Sequence, residues 1–192
     1  MKEKKEAKNE LLRKAIHLTF GALILILISF GGTETSAVII ALCLLAGIFI
    51  SFGIIRGHNF FHLNKIILTV ERENEKNFPG KAAVLFFVSA LILLIFFKDN
   101  PTIILAALSV QVFADSAAAL IGKRFGKHKV LGKKTIEGSL SCLVVAFICI
   151  NYFYPTNIAL IAAIIATIIE MLPFDDNLWV PLITAAAIKL LV

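Results

Sequence analysis

The chain has 192 residues, of which 59% are hydrophobic, with a mean hydropathy of +0.91 and a formal net charge of +6. Soluble domains of this length are much more polar, so these values exclude a soluble globular protein. They predict a single domain, residues 1–192, that lies in a membrane and has no nucleic-acid partner.

The apolar runs predict about seven transmembrane helices, since ~20 residues cross a bilayer core. The runs cover residues 15–31, 36–55, 82–97, 102–121, 138–154, 158–172 and 178–192. Between the second and third runs, Phe60, Leu63, Ile67 and Val70 recur at helical spacing, which predicts a short interfacial helix near 58–76. The predicted fold class is therefore an all-α integral membrane protein, a bundle of helices.

Lysine and arginine collect in three segments: before the first run, between the second and third runs, and between the fourth and fifth runs. Two predicted spans separate each of these segments from the next, so all three lie on the same side of the membrane. The positive-inside rule predicts that this side is the cytoplasm. We therefore expect a cytoplasmic N-terminus, with residues 1–14 as a basic cytoplasmic segment, in a cell membrane or an endomembrane.

Cysteine and histidine spacings give no strong indication of a metal site. The three cysteines lie in apolar runs without Cys-x-x-Cys spacing and are interpreted as packed side chains. His58 and His62 are four residues apart, but a third ligand is missing nearby, so they are interpreted as interfacial histidines.

Asp115 is the most unusual residue, because it lies inside the fourth apolar run. A carboxylate there costs several kcal/mol unless it faces a cavity or a partner, so it is either paired with a lysine for structure or retained for function. Other polar groups are expected at the same membrane face. They are Arg13 and His17, Glu137 and Ser139, Glu170, and Asp176 and Asn177. Carboxylates with lysines and helix N-termini are the groups that bind a magnesium nucleotide.

The basic stretch GKRFGKHKVLGKKTIEGS, residues 122–139, lies between the fourth and fifth runs. It is not a P-loop, because five residues separate Gly126 from Gly132 and a second lysine precedes Thr135. Its glycines, lysines and carboxylate neighbours still predict a phosphate-binding loop.

Three stretches resemble the CTP-dependent polyprenol kinase family, which includes dolichol and phytol kinases: ELLRKAIH at 10–17, ADSAAALIGKRFGKHKVLGKKTIEGS at 114–139 and EMLPFDDNLWVP at 170–181. The resemblance implies CTP as phosphate donor, Mg²⁺ as metal, and as acceptor a membrane isoprenoid alcohol such as dolichol, another polyprenol, phytol or geranylgeraniol, with the active site facing the cytoplasm. The compact length is closer to phytol kinases and prokaryotic members.

Carried over residue by residue, the resemblance assigns three kinds of site residue. The catalytic residues are Asp115, His17 and Glu137. The nucleotide-binding residues are Lys123, Gly126, Lys133, Lys134, Thr135, Gly138, Ser139 and Arg13. The metal ligands are Asp115, Asp176 and Asn177.

Three alternatives stay open. A phosphatidate cytidylyltransferase would transfer CMP, although its clustered glycines followed by Asp-Arg-x-Asp are absent from this sequence. A small transporter would use Asp115 and Glu170 to relay a proton or a cation, and an assembly protein would have no chemistry. The choice of His17 or Asp115 as general base, and the formation of a homodimer, are also left open.

Overall fold

The computed structural model describes residues 2–58, 60, 67, 78–132 and 134–192, with side chains described from residue 9 onwards. Its helices are α1 (Lys2–Ile55), α2 (Lys81–Phe96), α3 (Pro101–Ser109), α4 (Asp115–Phe125), α5 (Ile136–Asn151), α6 (Thr156–Met171) and α7 (Asp176–Leu191). A π-helical turn, Val110–Ala114, joins α3 directly to α4. Within the described ranges the only β structure is an isolated antiparallel bridge between Lys129 and Thr135, so the prediction of an all-α protein is confirmed.

Helix α1 contains the first two apolar runs and reverses direction between them. Gly32 has φ +74° and ψ 170°, a non-helical conformation that glycine adopts at little cost. The Ser36 hydroxyl donates to the carbonyl of Leu27, nine residues earlier, at 3.2 Å. Nine residues of straight helix would separate these positions by ~13 Å, so the chain folds back on itself at Gly32.

Among the described residues, two helical segments are long and apolar enough to cross a membrane, judged by length and composition. They are Asn9–Ile55, which contains the break at Gly32, and Pro101–Phe125, which is α3, the π-helical turn and α4. Every predicted apolar run coincides with a helix, but membrane crossing by all of them stays a prediction, as does the cytoplasmic N-terminus. The predicted interfacial helix near 58–76 lies almost wholly outside the described residues, as does His62.

The α3–α4 segment lies at the centre of the bundle, where it contacts α1, α5 and α7. Many of its apolar side chains are fully buried, including Ile104, Leu108 and Val112. By contrast, α1 leaves large apolar side chains exposed along its length, namely Leu23, Ile26, Phe30, Val38, Leu42, Leu45, Phe49 and Phe52. A continuous exposed apolar surface of this kind is typical of contact with lipid.

Helices α4 and α5 approach closely at two glycines. A Cβ on Gly138 would lie 2.8 Å from the carbonyl oxygen of Ala118 and 3.2 Å from the Cα of Gly122. Small residues at a helix crossing let backbones approach within contact distance. This contact fixes the start of α5, and the loop before it, against α4.

Candidate active site

The deepest part of the site is an ion pair between α1 and α4. Lys14 Nζ lies 2.5 Å from Asp115 Oδ2, and the two residues are 5% and 8% exposed. His17 Nε2, one turn further along α1, lies 3.9 Å from the same carboxylate oxygen. The structure therefore brings the N-terminal segment and Asp115 together, and Asp115 has the lysine partner that the structural interpretation requires.

The π-helical turn before Asp115 supplies the next contacts. His17 Nε2 donates to the backbone carbonyl of Gln111 at 3.2 Å, and Gln111 Nε2 donates to Asn177 Oδ1 at 2.8 Å. Because a carbonyl oxygen only accepts, Nε2 of His17 carries a proton, and Nδ1 is the acceptor nitrogen of the neutral ring. Single π-helical turns are frequent at functional sites. Gln111 thus links α1 to the start of α7.

Lys134 forms a second charged cluster at the start of α7. Its ammonium lies 2.9 Å from Asp176 Oδ2 and 2.9 Å from Glu170 Oε1, and it also donates to the backbone carbonyl of Glu170. Burial alone would lower the pKa of Lys134, but the carboxylates of Asp176 and Glu170 together raise it above its ordinary value. Lys134 therefore remains charged at neutral pH and holds the ends of α6 and α7 together.

A cavity of about 370 Å³ connects these groups to an apolar wall. The polar groups that line it come from α1, α4 and the segment before and at the start of α7; they are Arg13, Lys14, His17, Asp115, Asp175, Asp176 and Asn177. The apolar wall consists of Ile16, Phe20, Ile67, Gly80, Ala82, Ala83, Phe86, Phe87 and Phe174. One site therefore combines charged groups with a surface suited to hydrocarbon.

The basic loop between α4 and α5 folds as a tight reversal. Val130 N–H donates to the Lys134 carbonyl at 2.9 Å, and Gly132 occupies the turn with φ +58°, in the left-handed region that favours glycine. Thr135 ends the loop as the N-cap of α5, where its hydroxyl accepts from Gly138 N–H at 3.2 Å. This geometry positions Lys134 toward α6 and α7.

The structure brings together six of the predicted site residues, five of which line the cavity. Those that line the cavity are Arg13, His17, Asp115, Asp176 and Asn177. Lys134 reaches them through Asp176. Glu137 does not line the cavity and instead accepts from His128 Nδ1 at 2.8 Å, while Lys123 lies exposed at the end of α4. Lys133 lies outside the described residues.

Close packing explains two of the predicted nucleotide-binding glycines, whereas a third predicted residue, Ser139, is buried without an evident structural role. A Cβ on Gly126 would lie 2.1 Å from the carbonyl oxygen of Gly122, and Gly138 is packed against α4 as described above. The Ser139 hydroxyl is buried without a hydrogen-bond partner among the described residues. The glycines are thus explained by close packing, and their role in nucleotide binding stays a prediction.

Sequence reasoning did not select several residues that shape the site. Lys14 was interpreted only with the basic N-terminal segment, yet it is the partner of Asp115. Glu170 was expected at the same membrane face but was not assigned to the kinase site, and it is a partner of Lys134. A sequence signal existed for Phe86 and Phe87, which follow Ala82 and Ala83 at helical spacing of four. Only the packing of α2 against α1 shows that this face lines the site.

The donor set fits Mg²⁺ only when the nucleotide supplies further ligands. The described residues contain no group of three or more His, Cys, Asp or Glu side chains arranged to hold a metal ion. Asp115 and Asp176 both line the cavity, and Mg²⁺ usually binds one or two carboxylates together with phosphates and water. The residues therefore match a metal that arrives with a nucleotide.

The exposed apolar surface and the buried ion-paired carboxylates define a helical protein of the membrane type with an internal polar site. Comparison with known proteins finds relatives that align over most of the chain. The chain is 32% identical to an uncharacterized protein of Methanocaldococcus jannaschii, with 94% of this chain and 93% of that protein covered. It is 26% identical to phytol kinase 1 of Arabidopsis thaliana, covering 94% of this chain and 66% of that protein.

A further relative is the CTP-dependent diacylglycerol kinase 1 of Schizosaccharomyces pombe, 26% identical over 96% of this chain and 94% of that protein. No family model and no solved structure matches the chain. The relatives show that the chain belongs to the polyprenol and diacylglycerol kinase family of lipid kinases. The resemblance found in the sequence is confirmed.

Proposed function

We propose that this protein transfers the terminal phosphate of CTP to the hydroxyl of an isoprenoid alcohol at the cytoplasmic face of a membrane. The observation that carries this proposal is the cavity, in which Asp115 and Asp176, from distant parts of the chain, meet an aromatic wall. Phosphoryl transfer needs charge neutralisation and positioning more than covalent chemistry. A lipid acceptor needs an apolar surface beside those charges.

The nucleotide is expected on the Lys134 side of the site. Lys134 is charged and only partly buried, with its ammonium on Asp176 at the polar end of the cavity. A triphosphate would compete with Asp176 for this lysine, and Asp176, once released from it, would be one of the residues that hold Mg²⁺. The metal, when bound, neutralises charge on the phosphate oxygens.

His17 is the better candidate for the group that orients and deprotonates the acceptor hydroxyl. Asp115 already receives the Lys14 ammonium, whereas the ring of His17 presents an acceptor nitrogen, Nδ1, when Nε2 donates to Gln111. The Gln111 carbonyl thus fixes both the tautomer and the direction of the ring. Asp115, 3.9 Å from Nε2, stabilises the imidazolium that forms when the hydroxyl proton is taken.

The test uses purified protein in detergent with CTP, ATP or UTP and Mg²⁺. The acceptors are phytol, geranylgeraniol, a polyprenol, a diacylglycerol and phosphatidate, and the products are separated by mass. We expect a phosphorylated isoprenoid alcohol with CTP. A CDP-lipid formed from phosphatidate would establish the cytidylyltransferase alternative, and flux driven by a pH gradient without any lipid product would establish the transporter.

A further inference from the structure

We infer that the cavity between α1 and α2 binds the acceptor as a single hydrocarbon chain, with its hydroxyl at His17 and its first isoprene units against Phe86 and Phe87. The inference rests on the proposed function and extends it, because the sequence motifs assign no residue to the hydrocarbon chain of the acceptor. It also orders the site: the nucleotide lies on the Lys134 side and the lipid on the α1–α2 side.

The two helices present complementary faces to this cavity. On α1, Arg13, His17 and Phe20 lie at intervals of four and three residues, so one face passes from charged to apolar. On α2, Phe86 contacts the His17 ring edge-on, with ring centroids 5.3 Å apart. The imidazole therefore stands where the polar end of the cavity meets its aromatic wall, which is where the hydroxyl of an amphipathic alcohol belongs.

Exposure shows where the chain leaves the cavity. Phe86, beside His17, is 5% exposed, whereas Phe20 is 57% exposed. Phe20 lies within the first apolar run of α1, so the exposed end of the wall is at the level of the hydrocarbon. Ala82 and Ala83 leave space between the helices. An alcohol can thus enter sideways from the bilayer, without exposing its tail to water at ~0.8 kcal/mol per CH₂ group.

The size and polarity of the wall favour one chain over two. An apolar cavity of ~150 Å³ holds one benzene molecule, so this cavity of about 370 Å³ has room for a hydroxyl and the first units of one chain. The wall side chains around Phe86 and Phe87 carry no hydrogen-bond donor. The ester carbonyls of a diacylglycerol would therefore lie along a surface that offers them no hydrogen-bond donor. Burying a polar group without a hydrogen bond costs free energy.

The experiment fills the cavity without disturbing the core. Ala83 lines the cavity and is exposed, so Ala83→Phe adds a ring to the wall; Ala15, exposed on α1 but outside the cavity, gives the matched control Ala15→Phe. Since each CH₂ group excluded from an apolar site weakens binding about fourfold, Ala83→Phe should raise the KM for geranylgeraniol at least about tenfold. The KM for CTP should change less than about twofold, and Ala15→Phe should change neither. An unchanged geranylgeraniol KM in Ala83→Phe, or an equal rise in Ala15→Phe, overturns the assignment.

A second measurement does not depend on turnover. A geranylgeraniol analogue with a diazirine near the hydroxyl should label peptides from α1 and α2 in the wild-type protein, with less labelling in Ala83→Phe and in the presence of excess geranylgeraniol. Labelling confined to other helices overturns the proposal, as does stronger protection by dioctanoylglycerol than by geranylgeraniol. If the wild-type protein phosphorylates no acceptor, the proposed function fails, while the labelling pattern still decides whether the cavity binds a single-chain alcohol.

Discussion

Replacing Asp115 by asparagine removes one charge of a buried ion pair and leaves the Lys14 ammonium facing an amide. Both residues are less than one-tenth exposed, and their charged atoms are 2.5 Å apart. Removing one partner of a buried pair costs about 3–5 kcal/mol. For a chain of this size, about 1 kcal/mol shifts Tm by roughly 2–4 °C, so Asp115→Asn should lower Tm by about 6–20 °C. Lys14→Met should lower it by a similar amount, because it leaves the carboxylate unpaired.

The double variant separates the structural role of Asp115 from its catalytic role. The variant that combines Lys14→Met with Asp115→Asn has neither charge of the pair, so its Tm should be higher than that of either single variant. If Asp115 acts in phosphoryl transfer, the double variant stays inactive although its stability recovers. If Asp115 serves only to pair with Lys14, activity returns with stability.

Thermal unfolding can be followed with a thiol-reactive dye in detergent. Cys142 is 1% exposed and becomes reactive only on unfolding, while Cys43, which is exposed, and Cys149, which is partly buried, are first replaced by serine to remove the background. Phosphorylation is measured on the same samples below the lowest Tm. Recovery of near-normal kcat in the double variant would refute a catalytic or metal-binding role for Asp115. Equal Tm values for the single and double variants would refute the buried ion pair.

Three further substitutions test other parts of the site. Lys134→Ala should raise the KM for CTP at least about tenfold, because it removes a charged phosphate ligand. The control Lys129→Ala, in the exposed part of the same loop, should leave this KM unchanged. Equal effects of the two variants would count against the Lys134 assignment. His17→Gln should lower kcat by about 10²–10⁴-fold with little change in the KM for CTP, and a normal kcat would exclude His17 as the base. Gly138→Ala should destabilise the protein by about 1–3 kcal/mol, because its Cβ would meet the α4 backbone at 2.8 Å. The control Gly47→Ala, whose Cβ would have its nearest neighbour at 3.9 Å, should not destabilise it. Similar Tm values for the two variants would contradict the close crossing of α4 and α5.

The positions of the helices could be predicted from the sequence, because hydrophobic runs of this length are a local property of the chain. Each predicted run lies in a helix, and the bounds agree within a few residues except at the start of α1, which begins at Lys2. The reversal within α1 was also visible, since Gly31 and Gly32 interrupt the apolar pattern. The π-helical turn before Asp115 was not, because it depends on how the central helix packs among its neighbours rather than on residue preference.

For the site, the sequence determined which residues carry unusual chemistry. A carboxylate in an apolar run, such as that of Asp115, has a high free-energy cost of burial wherever the helix lies. Its presence alone therefore indicates a partner or a function. The resemblance to the polyprenol kinase family selected His17, Asp176 and Asn177, which line one cavity with Asp115. It also selected Glu137, for which the structure shows a different partner, His128.

Tertiary structure alone decided how those charges are paired and what lies beside them. The pairing of Lys14 with Asp115 joins residues 101 positions apart, and that of Lys134 with Asp176 joins residues 42 positions apart. Local sequence carries no information about such distances, because they follow from helix packing in three dimensions. The sequence by itself therefore determined a helical membrane-type kinase with a polar site, whereas only the fold placed the aromatic face of α2 against His17 and created a cavity fit for a lipid.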